Sequence, residues 1–145
     1  MAGTKNKKVH SERTRFPGGD ALLRNVVENA VVPTFLVDQS NCIAYANKAF
    51  ADLLGYDTAE VIGLGINELI HPDDRSQTRE QADSAIAGAG GYRAERRYLR
   101  KNGEPVWVLA SAAALAEEET GDVLYLTVQL VDIDGQKRAE AVVDH

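Results

Sequence analysis

The sequence predicts an α+β fold built on a mainly antiparallel sheet. Three observations support it. Two short apolar strands follow an amphipathic helix, short helical segments fill the middle of the chain, and three long β-rich runs make up its last third. Strands and helices that are segregated in this way are typical of α+β proteins. With 145 residues, 44% of them hydrophobic and 26% charged, the chain is expected to form one domain with one core.

Residues 1–19 predict a flexible basic tail, and a helix follows it. Residues 1–20 carry a charge of +3 and the rest carries −9, for a total of −6. Because the tail is short and lacks interleaved aromatic residues, we do not expect it to bind nucleic acid. Asp20 is a candidate N-cap of the helix. The helix carries an apolar stripe at helical spacing, formed by Leu22, Leu23, Val26 and Val27. We expect this stripe either to form a dimer contact or to fold back on its own sheet.

The next segment predicts a hairpin and then several short helices. Residues 34–37 and 42–46 form the two strands, and the polar residues 38–41 form the turn. The helices are predicted from their end signals, because short polar residues cap helix starts and glycine ends helices. These signals are Asn47 with Gly55, the Asp57–Glu60 capping box with Gly63, and the start His71–Asp74 of a helix that extends to Ile86.

The last third predicts three strands and a terminal helix. The strands are residues 92–100, 106–115 and 123–133, with an Asn-Gly hairpin turn at 102–103. Both faces of the middle strand are apolar and mostly small, so we expect it to be covered on both sides. Its small residues leave room for a ligand or let a helix or partner subunit approach closely, and the second alternative is favoured. Residues 134–145 predict the start of a signalling helix or linker that continues in a longer chain.

The order and spacing of these motifs resemble those of PAS domains, over roughly Leu22 to Glu140. The departures are conservative, since Asp-Ile-Asp stands where Asp-Ile-Thr is usual and Asn-Gly where Asp-Gly is usual. The residues that carry the resemblance are Asp38, Tyr45–Phe50, Leu54–Tyr56, Val61–Gly63, His71–Asp74, Arg100–Gly103, Trp107, Asp132–Ile133 and Lys137–Glu140. The resemblance implies a PAS domain over residues 20–133, including the flanking helix. It also implies a five-stranded antiparallel sheet with short helices over one face.

This resemblance further implies a cytoplasmic, bacterial-type regulatory module that senses a signal or dimerises and relays a conformational change. The output domain would be a histidine kinase or a cyclic-di-nucleotide cyclase or phosphodiesterase in the same chain, which corresponds to two-component or cyclic-di-GMP signalling. A homodimer is expected, and a small-molecule ligand is a possibility. Asp132 and Ile133 are the expected relay residues. The expected cavity lining comprises Phe50, Leu54, Leu109, Ser111, Ala113 and Val128.

Two other function classes are alternatives to the sensor module. The first is a ligand-free dimerisation domain, in which the apolar stripe of the N-terminal helix supplies the contact. The second is a small α+β enzyme. We find no nucleophile with a base, no convergent carboxylates, no metal cluster and no complete phosphate loop in the sequence. We therefore expect no enzymatic activity within this chain and no metal site.

The cofactor is unknown, and we expect neither flavin nor haem. The segment Gly65–Ile70 contains no thiol for flavin photochemistry, and Cys42 lies in the second strand, where we expect a small buried hydrophobe. Gln129 is one residue out of register with the flavin-contacting glutamine of related domains, and such a slip changes the face of the strand. The long helix contains no axial histidine for haem, and we interpret His71 as an N-cap.

The remaining signals concern charge and compartment. A single cysteine excludes an intrachain disulfide and fits a reducing cytosol. No apolar run reaches the ~20 residues that a membrane-spanning helix needs. Five positive charges fall within nine residues, namely Arg93, Arg96, Arg97, Arg100 and Lys101. They indicate either an anion site or solvated side chains that pair with nearby carboxylates, and the second alternative is favoured in an acidic chain.

Overall fold

A five-stranded antiparallel sheet forms the centre of the protein, in the spatial order β2-β1-β5-β4-β3. The computed structural model describes residue 25 and residues 27–143. The strands are β1 (Thr34–Val37), β2 (Ile43–Ala46), β3 (Gly91–Leu99), β4 (Pro105–Ala116) and β5 (Val123–Asp132). β1 pairs with both β2 and β5, so the first hairpin joins the three-stranded meander β3-β4-β5 along β5. The α+β prediction with five antiparallel strands is confirmed.

Short helices follow the first hairpin, and a longer one leaves the sheet at the end. They are α1 (Lys48–Leu54), α2 (Thr58–Val61), two 3₁₀ turns (Ile66–Leu69 and Pro72–Asp74), α3 (Arg75–Ser84) and α4 (Asp134–Val143). The helix predicted from residue 71 to 86 is thus divided. A 3₁₀ turn opens it, α3 follows, and one wide π turn, Ala85–Ala89, closes it at Gly88, whose φ of 117° no helix can accommodate.

Asn47 fixes the junction between the first hairpin and α1. Its side chain is buried and makes four hydrogen bonds. Oδ1 accepts from the backbone N–H of Thr34 at 3.0 Å and of Phe50 at 2.9 Å. Nδ2 donates to the carbonyl oxygens of Ala30 and Val32 at 2.9 and 2.8 Å. The predicted N-cap is confirmed, and the same side chain also ties the segment before β1 to the helix.

The core lies between one face of the sheet and the helices, and we call this face the inner face. β4 contributes Val106, Val108, Ala110 and Ala112 to the core, while α1 contributes Phe50 and Leu54. The opposite, outer face carries a smaller cluster in which Val27 and Leu36 are buried and Tyr45, Leu115 and Tyr125 pack against them. The inner face of β4 is therefore apolar because it forms part of the core, and on its outer face Leu115, at the end of the strand, packs against the second cluster.

The end of the N-terminal helix covers part of the outer face. Residues 25 and 27–29 are helical. Val27 is buried against Leu36 of its own chain, which is the fold-back alternative for that residue. Three residues of the predicted dimer stripe, namely Leu22, Leu23 and Val26, lie outside the described residues, as does the predicted tail 1–19. Cys42 forms an isolated bridge with Gly65 before β2 begins and is only half-buried, so the prediction of a buried hydrophobe is wrong.

Candidate functional site

A cavity of about 290 Å³ lies between the inner face of the sheet and α3. This volume of about 290 Å³ lies just below the ~300–1,000 Å³ typical of small-molecule sites. Apolar side chains line it from the sheet, including Phe35, Val37 and Val128, and polar side chains line it from the helical side, including Thr78. The turn between β1 and β2 also contributes polar side chains, so about half of the lining residues are polar or charged, and polar groups opposite an apolar wall can orient a small ligand.

The structure brings only part of the predicted lining to this cavity. Val128 lines it. Phe50 and Leu54 of α1 lie in the core, are fully buried and do not line the cavity. Leu109, Ser111 and Ala113 lie on the outer face of β4, so their predicted place in the cavity is wrong. Since both faces of β4 are apolar, the period-2 pattern did not indicate which face the helices cover.

Arg96 is the feature of this region that the sequence interpretation missed. Its side chain is 1% exposed on the inner face of β3, although the five-charge cluster was expected to be solvated. The guanidinium donates hydrogen bonds to Thr78 Oγ and Gln81 Oε1 of α3. Its Cζ lies 5.4 Å from the centre of the Tyr92 ring. An arginine is thus buried next to the cavity with neutral partners.

Two of the neighbouring cations, Lys101 and Arg97, pair with carboxylates as the favoured alternative predicted, whereas Arg100 binds a backbone carbonyl. Lys101 Nζ pairs with Glu60 at 2.6 Å. Arg97, which points to the opposite side of β3 from Arg96, forms a two-pronged ion pair with Asp74, with Nε–Oδ2 at 3.1 Å and Nη2–Oδ1 at 2.9 Å. Arg100 donates to the carbonyl oxygen of Leu53 at 2.8 Å. Arg96 is therefore the buried exception within the cluster.

The turn His71–Asp74 clasps the edge strand β3 at Arg97. The backbone N–H of Arg97 donates to Asp74 Oδ2 at 2.7 Å, and its carbonyl accepts from the His71 N–H at 2.9 Å. Burial alone would raise the pKa of Asp74, but the hydrogen bonds from Arg97 outweigh it and hold the pKa below its usual value. His71 Nδ1 accepts from the Asp73 N–H at 3.1 Å, so its predicted role as an N-cap is confirmed.

Trp107 connects this clasp to α4. The Arg97 guanidinium carbon lies 5.1 Å from the centre of its ring, and Lys137 Nζ of α4 lies 4.7 Å from it. The Trp107 backbone N–H donates to Asp134 Oδ1 at 3.2 Å. Its carbonyl accepts from Ile133 N–H at 3.0 Å. The start of α4 is therefore bonded to β4 through both backbone groups of one residue, Trp107.

The predicted relay residues lie at this junction. Asp132 ends β5 opposite Val108, and its Oδ1 accepts from the Asp134 N–H at 2.9 Å. The Ile133 carbonyl accepts from the Lys137 N–H at 2.9 Å, which is the first turn of α4. Asp134 also pairs with Arg138 at 2.9 Å. The sequence predicted Asp132 and Ile133 as relay residues but did not assign this role to Asp134 or to Trp107 of β4, which bond to each other here.

Neither a metal-ligand cluster nor a membrane-spanning helix is found among the residues that the structure describes. Within residue 25 and residues 27–143, no three His, Cys, Asp or Glu side chains come together as metal ligands would. None of the helices in those ranges has both the length and the apolarity that crossing a bilayer requires. Gln129 is exposed, and it lies opposite Ser111 of β4 on the outer face.

Residues 21–133 match the family described as PAS fold. The chain is 32% identical over 133 residues to the probable diguanylate cyclase DgcE of Escherichia coli (strain K12), covering 91% of this chain and 12% of that protein. It is 28% identical over 134 residues to the sensor histidine kinase TmoS of Ectopseudomonas mendocina, covering 92% of this chain and 14% of that protein. The chain therefore spans less than a sixth of the length of either relative.

Solved structures share the fold. The PAS domain of a protein from Colwellia psychrerythraea superposes with a TM-score of 0.70 at 23% identity, covering 80% of this chain and 99% of that one. A LOV protein of Rhodobacter sphaeroides superposes with a TM-score of 0.67 at 22% identity, covering 77% and 64%. Another similar structure is a light-oxygen-voltage domain described with a flavin analogue. The comparisons therefore do not support the expectation that flavin is absent, and the cofactor of this chain is unknown. Because the family match spans most of the chain and a solved PAS domain superposes on its sheet and helices, this chain belongs to the PAS fold family.

Proposed function

We propose that this chain is a regulatory sensor module that relays a change in its cavity to an output domain through α4. One observation carries the proposal. β5 lines the cavity with Leu126 and Val128, and only a few residues later it continues through Ile133 into α4. The cavity wall and the exit helix are thus one continuous segment, in which a small shift of the strand changes the direction of the helix.

The relatives support this role by their names. One is a probable diguanylate cyclase and one is a sensor histidine kinase, and this chain matches only a small part of each. We infer that the output domain is of one of these two kinds and lies in the same chain. We further propose a cytoplasmic location. A catalytic step within this chain forms no part of the proposal, because the polar groups of the cavity suit recognition of a ligand.

Two packing states of the junction would carry the signal. Asp134 accepts from the backbone N–H of Trp107, Ile133 donates to its carbonyl oxygen, and Lys137 packs on its ring. When the cavity fills, a ligand that binds one arrangement of β5 more tightly shifts the population toward that arrangement. The junction then pulls the first turn of α4 with the strand, which changes the helix register presented to the output domain.

A chimera tests this proposal. We would place this chain in the Escherichia coli diguanylate cyclase relative, in exchange for the segment it matches, and measure cyclic-di-GMP synthesis. Asp134→Ala removes the side-chain bond to Trp107 and the ion pair to Arg138, so we expect it to change the basal output at least about threefold, which is the effect of losing ~0.7 kcal/mol of coupling. The control is Glu119→Ala, in the exposed β4–β5 turn. Equal output from both variants would contradict the relay.

The homodimer is proposed through the N-terminal helix. Val27 is buried in its own chain, so the contact is assigned to Leu22, Leu23 and Val26. Leu22→Glu combined with Leu23→Glu is expected to give a monomer in sedimentation velocity at micromolar concentration. Val31→Glu is the control, because Val31 follows the helix and is 91% exposed. A dimer that survives the double substitution would exclude this contact.

A further inference from the structure

We propose that Arg96 binds the carboxylate of a small organic acid in the cavity. This inference rests on the proposed sensor function, because it names the chemical class of the signal. It concerns a side chain that neither the family match nor the resemblance assigns to any role.

The charge of Arg96 is buried inside the protein. Arg96 is 1% exposed, and an arginine stays protonated inside proteins. Removing a charged group from water is unfavourable by several kcal/mol unless a partner of opposite charge compensates it. A buried guanidinium therefore normally faces a carboxylate or phosphate.

Within the described residues, Arg96 has no partner of opposite charge. No carboxylate of residues 27–143 lies within 4.0 Å of the Arg96 guanidinium nitrogens, whereas Arg97 next to it has Asp74. Arg96 donates only to the neutral oxygens of Thr78 and Gln81, and its Nε is buried without a hydrogen-bond acceptor. A guanidinium carries five N–H donors in a planar fork that fits a carboxylate. The side chain is thus prepared for an anion that the described residues do not supply.

Arg96 lies next to the cavity. Thr78, which accepts from Arg96, lines the cavity, and so do Tyr92 and Tyr98 on the same face of β3. The guanidinium therefore lies directly behind the cavity wall, one hydroxyl group away. A carboxylate in the cavity would bind the guanidinium in place of the Thr78 hydroxyl oxygen once the Thr78 side chain has turned aside.

The rest of the lining indicates the body of the ligand. Phe35, Val37, Leu126 and Val128 make the sheet side apolar, and a volume of about 290 Å³ suits a compact molecule. Three charged residues also line the cavity. Asp38 is half-buried with its Oδ1 accepting from two backbone N–H groups of its own turn, and Arg79 and Asp83 are exposed. The expected ligand is therefore a monocarboxylate with a small aromatic or branched aliphatic body.

Thr78 also joins this site to the junction between β4 and α4. Its hydroxyl donates to the Asp74 carbonyl oxygen at 2.7 Å, and Asp74 in turn holds Arg97 against Trp107. Displacing the Thr78 hydroxyl from Arg96 therefore acts on the turn that clasps β3. The ligand site and the junction with α4 are linked by contacts that follow one another through space.

The test is calorimetric titration of the protein with phenylacetate, benzoate and 3-methylbutanoate. Phenylacetamide serves as the uncharged match of phenylacetate, and inorganic phosphate as a different anion. We expect at least one carboxylate to bind with 1:1 stoichiometry, and its amide to bind at least about tenfold more weakly, which corresponds to ~1.4 kcal/mol. Arg96→Gln should weaken the carboxylate by at least the same factor. Arg93→Gln makes the same charge change at an exposed residue of β3 outside the cavity lining and should leave the affinity within about twofold. Arg79→Gln, in the lining, tests whether the other arginine of the cavity binds the carboxylate instead.

A second measurement does not depend on a variant. The Nε–H signal of Arg96 in the wild-type NMR spectrum should shift on titration with the bound carboxylate and stay in place with the amide. Equal affinities for acid and amide, phosphate binding alone, or a larger effect of Arg79→Gln than of Arg96→Gln would overturn the proposal, as would no binding by any of the three acids at millimolar concentration. The relay chimera does not depend on these results, because its readout is the change caused by Asp134→Ala.

Discussion

Asp74→Asn is the substitution that best separates a working contact from a surface charge. Asp74 accepts three hydrogen bonds from Arg97, one from its backbone and two from its side chain. The two side chains are 15% and 26% exposed, so water screens the pair only in part. Asparagine keeps one acceptor oxygen, but it loses the charge and the second prong. Hydrogen bonds to charged groups contribute about 1.5–3 kcal/mol, and partial exposure lowers the expected loss to about 1–2 kcal/mol.

The assay is urea unfolding at neutral pH, supported by thermal melts, in which this loss corresponds to a Tm about 3–8 °C lower. Asp73→Asn is the matched control. Asp73 is adjacent, carries the same charge and lies 3.9 Å from the Arg97 Nη2, but its side chain is 73% exposed. An exposed pair of this kind contributes less than about 0.5 kcal/mol. If the two variants unfold at the same urea concentration, the clasp does not hold β3 in the way the distances indicate.

The dependence on pH gives an independent check of the same contact. The pKa of Asp74 is lowered in the folded protein, whereas in the unfolded chain it takes its ordinary value of 3.8. The stabilisation is therefore fully present above 3.8 and is lost as the pH falls through the lower, folded value. The stability difference between wild type and Asp74→Asn should be constant from neutral pH down to about 5 and should shrink below 3.8. A constant difference at all pH values would mean that the charge of Asp74 is not involved.

Three further predictions concern single positions. Asn47→Ala removes four hydrogen bonds from a buried side chain and should lower the free energy of unfolding by about 3–5 kcal/mol in urea titration; a loss below ~1 kcal/mol would contradict its role. Gly91→Ala places a Cβ 2.4 Å from the Ala112 carbonyl oxygen and should lower stability by about 1–3 kcal/mol, whereas Gly135→Ala in α4 meets no atom within 4 Å and should raise it by up to ~1 kcal/mol; melts that rank the two variants in the opposite order would refute this. Burial raises the pKa of Tyr98, so the folded state keeps this proton to a higher pH than the unfolded chain does. Stability should therefore fall as the pH rises above 10.0, and the fall should be smaller in Tyr98→Phe, as measured by denaturation at several alkaline pH values.

The elements were predictable because their signals are local. Asn47 caps α1, and Gly55 ends it with a φ of 81° in the left-handed region. Asn102 and Gly103 form the turn between β3 and β4, where Gly103 has a φ of 89° and the Asn102 side chain accepts from the Glu104 N–H. Each of these features depends on a few adjacent residues. A single sequence therefore contains the information needed to place them.

The cavity was predicted poorly because its position depends on which face of β4 the helices cover. Ala110 and Ala112 point inward while Ser111 and Ala113 point outward, and both pairs are small. The outer face is apolar at one end because Leu115 packs with Val27 and Leu36, a contact that spans most of the chain length. Alternation within β4 could not separate a surface that faces α3 from one that faces the N-terminal helix. Only the packing of distant segments decides between them.

The arginines of β3 did contain a usable signal. Arg96 alternates with Tyr92 and Tyr98, and an arginine between two aromatic residues on one face of a strand indicates an inward position. Arg97 lies on the other face, with Glu95 and the Trp107 ring. Since adjacent residues of an edge strand point in opposite directions, β3 holds the candidate ligand group on one side and the contact to the exit helix on the other. A displacement of this strand by a bound anion would therefore act on both sides at once, which adds a second physical link between the cavity and α4 to the continuous segment from β5.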